Sequence, residues 1–168
     1  MSRTLLNLVL FQLVWWATIL GVASGHPWLG PLVILPATGL HLWLSKSRRG
    51  ELRLLLMCGL VGFCFDTLLM TAGLFAPRPY LFPHPFSPPW MVVLWLNLAT
   101  TLNVSLGWLH KRPLLAALLG GIGGPLSYYG GAKLGAAAVP TYSALLVLVV
   151  GWAIVTPLLL RVAQSGNK

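Results

Sequence analysis

Residues 54–75 read LLLMCGLVGFCFDTLLMTAGLF, with a single charge, Asp66, inside an otherwise apolar run. At 1.5 Å per residue the run is long enough for a helix across the ~30 Å hydrocarbon core of a bilayer. An ionisable group placed there costs on the order of 3 kcal/mol on insertion scales. The run therefore predicts a transmembrane helix whose carboxylate faces a bundle interior or a water-filled cavity. Gly59, Gly62, Asp66 and Gly73 fall on one stripe by three- and four-residue spacing, the small-residue pattern of close helix contact in membranes.

The rest of the chain agrees. It has 168 residues, 57% hydrophobic and 8% charged, with a mean hydropathy of +0.83. Soluble domains carry roughly a quarter charged residues. The formal net charge of +9 sits in short connections between apolar runs, the pattern of membrane topology. Nucleic acid is thereby set aside as a partner. Cys58 and Cys64, six residues apart in one run, point about 120° apart on a helix, so neither a disulfide nor a metal pair is expected.

Punctuation by charge, proline and glycine marks off six spans, at about 4–23, 27–44, 52–75, 90–109, 114–139 and 142–160. They predict one all-α transmembrane domain over residues 1–168. In a six-span arrangement Arg3, Lys46, Arg48, Arg49, Arg53, Lys111, Arg112, Arg161 and Lys168 share one side. Only Arg78 falls in a loop on the other, with Lys133 near that end of the fifth span. The positive-inside rule then gives an N-in/C-in bundle. The first span reads as retained: its apolar stretch is long for a signal peptide, and GVASG is a weak cleavage site. The loop after Phe75 holds six prolines between Pro77 and Pro89, interleaved with Tyr80, Phe82 and Phe86. It reads either as a lid over the outer mouth or as an interfacial connector.

Polar residues concentrate in two further spans. The fourth carries Asn97, Thr100, Thr101, Asn103 and Ser105, more than packing alone requires. A polar cavity beside Asp66 is the expectation. The fifth carries Gly120, Gly124, Ser127, Gly131 and Gly135 as a small-residue ridge, which reads first as tight packing. Pro125 is expected to free backbone carbonyls there. Lys133 lies ~30 Å along this helix from Pro113, whereas Asp66 lies ~20 Å from Arg53, so Lys133 either snorkels outward or reaches Asp66 through a broken helix.

Several chemistries are disfavoured. No HxxxH box joins His26, His41, His84 and His110, which argues against a di-iron site and leaves haem between two histidines as a minor alternative. GPLSYYGG lacks the GxSG pattern of rhomboid proteases, and the sixth span has no histidine base. No phosphate loop or dinucleotide fingerprint is present.

The segments NLVLFQLVWW (7–16), the span with Asp66, PPWMVVLWLNLATTLNVSLGWL (88–109) and GGIGGPLSYYGGAKLGA (120–136) resemble an uncharacterised family of small polytopic bacterial inner-membrane proteins, a domain of unknown function. The likeness covers nearly the whole chain, and GPLSYYGGAKLGA is its most specific part. The resemblance implies a multi-pass inner-membrane protein. It also implies a lipid-linked role, because members are encoded near fatty-acid-modifying enzymes such as cyclopropane-synthase-like methyltransferases and flavin oxidoreductases. It supplies no catalytic residues.

The functional expectation is a protein that binds, or helps to modify, a lipid or acyl chain in an intramembrane pocket. Asp66, Asn97, Thr100, Asn103 and Ser127 would line it, and Tyr128, Tyr129 and Lys133 would stand at its outer mouth. In an enzyme Asp66 would be the general base. No cofactor is named by the residues. The alternatives are a small proton-coupled transporter using Asp66, and a membrane anchor recruiting soluble enzymes to a basic cytoplasmic face through Arg48, Arg49, Lys111 and Arg112.

Overall fold

A computed structural model describes residues 2–78, 86–138 and 140–165. Among these residues there are six α-helices and no strand: α1 (Arg3–Ala23), α2 (Leu29–Leu44), α3 (Arg48–Thr71), α4 (Pro89–Leu102), α5 (Pro113–Lys133) and α6 (Tyr142–Ser165). Helices α1, α3 and α6 are long and apolar enough to cross a membrane. Helix α5 has the length of α1 but is diluted by glycine, proline and tyrosine. Most of the proline-rich loop, including Tyr80, Phe82 and His84, lies outside the described residues.

Local chemistry sets the helix ends. Ser2 caps α1 by accepting a hydrogen bond from the Leu5 amide at 3.2 Å. Pro89 and Pro113 open α4 and α5 at positions whose amide would be unpaired anyway. Gly73 and Gly135 take positive φ (68° and 100°) just beyond α3 and α5. They let Leu74 and Ala136 bond back to the carbonyls of Leu69 and Gly131. The two emerging segments then pair briefly, Pro77 opposite Ala137, with Arg78 donating to the Ala136 carbonyl at 2.8 Å.

Three expected spans end early, the third (52–75) at Thr71. The fourth, 90–109, is α-helical only to Leu102. Residues beyond it turn over so that Asn103 donates to Glu51 Oε1 at 3.0 Å and Ser105 donates to Asn7 Oδ1 at 2.7 Å. The fifth, 114–139, stops at Lys133, yet it runs through Pro125 without a break. The third starts earlier than its apolar boundary and takes Glu51 into its first turn, where a negative charge suits the helix dipole.

Helix α4 is the hub. None of its residues is exposed, and it packs against α1, α2, α3 and α6. The other helices present large apolar side chains outward, such as Leu35 (66% exposed), Leu68 (68%) and Leu146 (68%). Polar groups are inside and leucines outside, the arrangement a lipid environment favours. Helices α5 and α6 form a tight pair because Gly120 and Gly124 leave no side chain where Thr156 and Trp152 sit. A Cβ on either glycine would come within 2.1 Å of those side chains. The glycine ridge is a packing surface.

Bonds between helix ends also show which ends meet. Asn7 donates to the Thr100 carbonyl at 3.0 Å, and Glu51 Oε2 lies 3.0 Å from His41 Nε2. The start of α1, end of α2, start of α3 and end of α4 therefore share one end of the bundle. Arg3, Lys46, Arg48, Arg49, Lys111 and Arg112 project from that end, all exposed.

Candidate functional site

Asp66 lies in the last third of α3, five residues before its end at Thr71, and is 1% exposed. Its Oδ2 accepts the indole N–H of Trp95 at 2.9 Å, and its Oδ1 accepts the hydroxyl of Tyr128. Three helices thus converge on one carboxylate. Trp95 reaches it because Gly62, one turn before Asp66, leaves a seat for the indole; a Cβ there would lie 2.0 Å from Trp95 Cγ. Trp152 on α6 stacks on Trp95, with ring centroids 4.6 Å apart and planes 13° from parallel. Phe65 packs edge-on to both indoles, and Phe75 edge-on to Tyr128. The carboxylate sits in an aromatic shell that holds its two donors in place.

Asp66, Trp95, Tyr128 and Trp152 border a cavity of about 480 Å³, within the size range of small-molecule sites. Helix α1 (Phe11, Trp15, Ile19) and α4 (Met91, Leu94, Trp95, Leu98) form one wall, and α5 with Trp152 and Thr156 of α6 the other. Phe75, Ala136 and Ala137 roof it. Helices α1 and α5 pack only sparsely. They meet where Trp15 donates its indole N–H to Ser127 Oγ at 2.9 Å and where Ile19 fills the space over Gly131. Elsewhere the seam is bordered by exposed Gln12, Leu119, Gly123 and Leu126. The cavity opens sideways through it, between lips that are apolar except for Gln12.

Of the residues expected to line one pocket, Asp66, Ser127 and Tyr128 do line this cavity. Asn97, Thr100 and Asn103 are placed elsewhere. The cavity face of α4 recurs at Met91, Leu94, Trp95 and Leu98, and Asn97 and Thr100 fall on a different face, turned toward α1 and α2. Asn97 donates to the Phe11 carbonyl at 2.8 Å, and Thr100 donates to the Asn97 carbonyl in its own helix at 2.7 Å. They border a separate crevice of about 20 Å³ with Asn7 and His41, too small for more than a water or so. Asn103 serves Glu51. Tyr129 and Lys133 are exposed on another face of α5, the Lys133 ammonium 5.4 Å from the Tyr129 ring centre. Among the described residues Lys133 makes no ion pair, and the pair present is His41–Glu51.

Sequence reading passed over Trp95, Trp152, Thr156 and Glu51. A signal existed for the tryptophans: both lie well inside their spans, whereas membrane tryptophans concentrate at interfaces. Glu51 looked like a loop residue among arginines, yet it is 2% exposed. Both acids of the chain are thus buried on α3, about 22 Å apart along it, and each is matched by two side-chain partners. Among the described residues, no group of three histidines, cysteines or acids could hold a metal.

No curated protein and no solved structure matches the chain. A family model described as "Protein of unknown function (DUF2878)" matches residues 4–158. That match spans nearly the whole chain and takes in both buried acids and every residue lining the cavity, so the chain belongs to the DUF2878 family.

Proposed function

We propose that this protein is a bacterial inner-membrane protein of six transmembrane helices, N-in/C-in, whose lateral cavity takes up a lipid or acyl chain. The observation that carries the reading is the shape of the cavity. It is mostly apolar along its walls, with a few polar groups such as Asp66, Ser127 and Tyr128, and open sideways between α1 and α5, whose lips are leucine and glycine on α5 with Gln12 on α1. A ligand dissolved in water would meet a greasy entrance; a chain already in the bilayer would not. The six-span topology draws support from the exposed basic residues gathered at one end of the bundle. Helices α2 and α4 are short, but the turn after α4 is buried against protein at Ser105 and Leu109, where irregular backbone is tolerated.

Native mass spectrometry with lipid analysis tests this on gently extracted protein. Gly123 lines the cavity at its exposed seam with nothing within 4 Å of where a Cβ would sit, so Gly123→Leu adds bulk at the opening without a clash at Cβ. The wild type is expected to retain a lipid or acyl species that Gly123→Leu loses. Equal retention by both proteins, or none by the wild type in any mild detergent, would overturn the reading.

A second reading, a membrane anchor for soluble enzymes, is favoured by one observation: Arg48, Arg49, Lys111 and Arg112 are all exposed at the same end. Charge-reversal of these four with no change in partner recruitment would remove it.

A further inference from the structure

Gln12 stands exposed on α1 at the seam through which the cavity opens, and it is one of the residues lining that cavity. It lies ~14 Å along α1 from Arg3, and Gly123 across the seam lies ~15 Å along α5 from Pro113. In the six-span reading both sit near the middle of a ~30 Å hydrocarbon core. Among the described residues the Gln12 side chain makes no hydrogen bond. An unpaired primary amide facing hydrocarbon carries the penalty of its lost hydration. A leucine, like the exposed Leu8, Leu13 and Leu20 on the same helix, would carry none. The amide at this mouth lacks a partner.

The protein does not bring one. Ser127 Oγ already accepts the indole N–H of Trp15, and both oxygens of Asp66 are occupied by Trp95 and Tyr128. The α5 lip is Leu119, Gly123 and Leu126, whose side chains neither donate nor accept. Whatever enters the seam meets an amide on one lip and an apolar wall on the other.

The chemistry of that amide narrows the partner. Its NH₂ donates and its carbonyl accepts, so one hydroxyl can close on it, accepting from Nε2 while donating to Oε1. An ester only accepts and would leave Oε1 unmatched. A charged head is disfavoured by depth, because an ion near mid-bilayer is costly. No lysine, arginine or histidine lines the cavity to offset an anion, and Asp66, already engaged, is not free to offset a cation.

Resting on the lipid-cavity reading, we propose that Gln12 selects what enters the lateral opening, and that the cavity takes an uncharged lipid with a free hydroxyl. The hydroxyl docks on the Gln12 amide at the seam, and the apolar chain lies in the cavity between α1 and α5. A single-chain alcohol and a diacylglycerol share this chemistry, and the test separates them.

The test titrates the full chain in mild detergent with five probes, read by native mass spectrometry: octadecene, methyl oleate, oleate, oleyl alcohol and dioleoylglycerol. At least one of the two alcohols is expected to bind roughly tenfold more tightly than octadecene, the ratio that one net hydrogen-bonded group gives, and more tightly than methyl oleate. The tighter alcohol names the source. Gln12→Met keeps the length of the side chain and removes the amide. It is expected to bring both alcohols down to the affinity of octadecene measured on the same variant, with circular dichroism and thermal unfolding showing that it is folded. Octadecene, methyl oleate or oleate bound as tightly as the alcohols overturns the proposal, as does an alcohol preference that survives in Gln12→Met. A dimer of the wild type that Gln12→Met loses, with no alcohol preference, assigns the amide to a second copy and overturns it too. If Gly123→Leu blocks octadecene in any of these cases, the lipid cavity stands without hydroxyl selection. If no probe binds and Gly123→Leu changes nothing, both readings fall.

Discussion

Trp95 on α4 donates its indole N–H to Asp66 on α3 at 2.9 Å, and it reaches that carboxylate only because Gly62 leaves the seat beneath its ring empty. The contact ties the hub helix to the buried acid and leaves two donors, Trp95 and Tyr128, dependent on one side chain. Asp66→Ala strands both in a buried site, at about 1–3 kcal/mol each. Asp66→Asn keeps the volume and one acceptor oxygen. Thermal unfolding in a single detergent should rank wild type above Asn and Asn above Ala. An alanine variant at least as stable as the asparagine one would contradict this account of the carboxylate.

The α5 glycines are predicted to split into two kinds. Gly124→Ala drives a methyl against Trp152 and should cost about 1–3 kcal/mol by overpacking. Gly123→Ala, one residue away and facing open space, should be neutral or stabilising by up to about 1 kcal/mol, because alanine favours helix over glycine. Melting temperatures of the two single variants check this directly. Similar losses at both positions would mean that the α5–α6 packing is not as described.

Around Glu51, Asn103 has a spare acceptor: its Nδ2 donates to Glu51 while its buried Oδ1 has no partner. Glu51→Gln places an amide where a carboxylate oxygen was, and Asn103 can turn its own amide over to accept from it. The loss should stay under about 1.5 kcal/mol, whereas Glu51→Ala leaves His41 and Asn103 unmatched and should cost more. Combining Glu51→Gln with Asn103→Ala removes the rescue. If the turned amide bonds as well as the original pair, the double variant should lose about the sum of the two singles. A double that loses much less than that sum would show that Glu51→Gln alone had already broken the bond, and would count against the amide turn.

Lys133 points away from Asp66, over the ring of Tyr129. Lys133→Met and Asp66→Asn should therefore act independently, with a coupling within about 0.5 kcal/mol in a double-mutant cycle. A larger coupling would reveal an interaction between the two charges.

Hydropathy by itself located all six helices, because a run of apolar residues reports its preferred solvent regardless of what it touches. The burial of Asp66 was also legible, since the one charge in a largely apolar run of 22 residues has few other places to go. The grouping of polar residues into a site was not. Asn97 and Thr100 share a span with Trp95, yet the rotation of α4 turns them toward α1 and α2 while Trp95 faces Asp66. That rotation follows from where Gly62 and Gly124 admit large rings and where Asn7 and Glu51 find partners, contacts between residues far apart in the chain. Composition and period determined which segments are helices. Only tertiary packing decided which side chains meet Asp66, that Glu51 is buried, and that α1 and α5 part to leave a cavity between them.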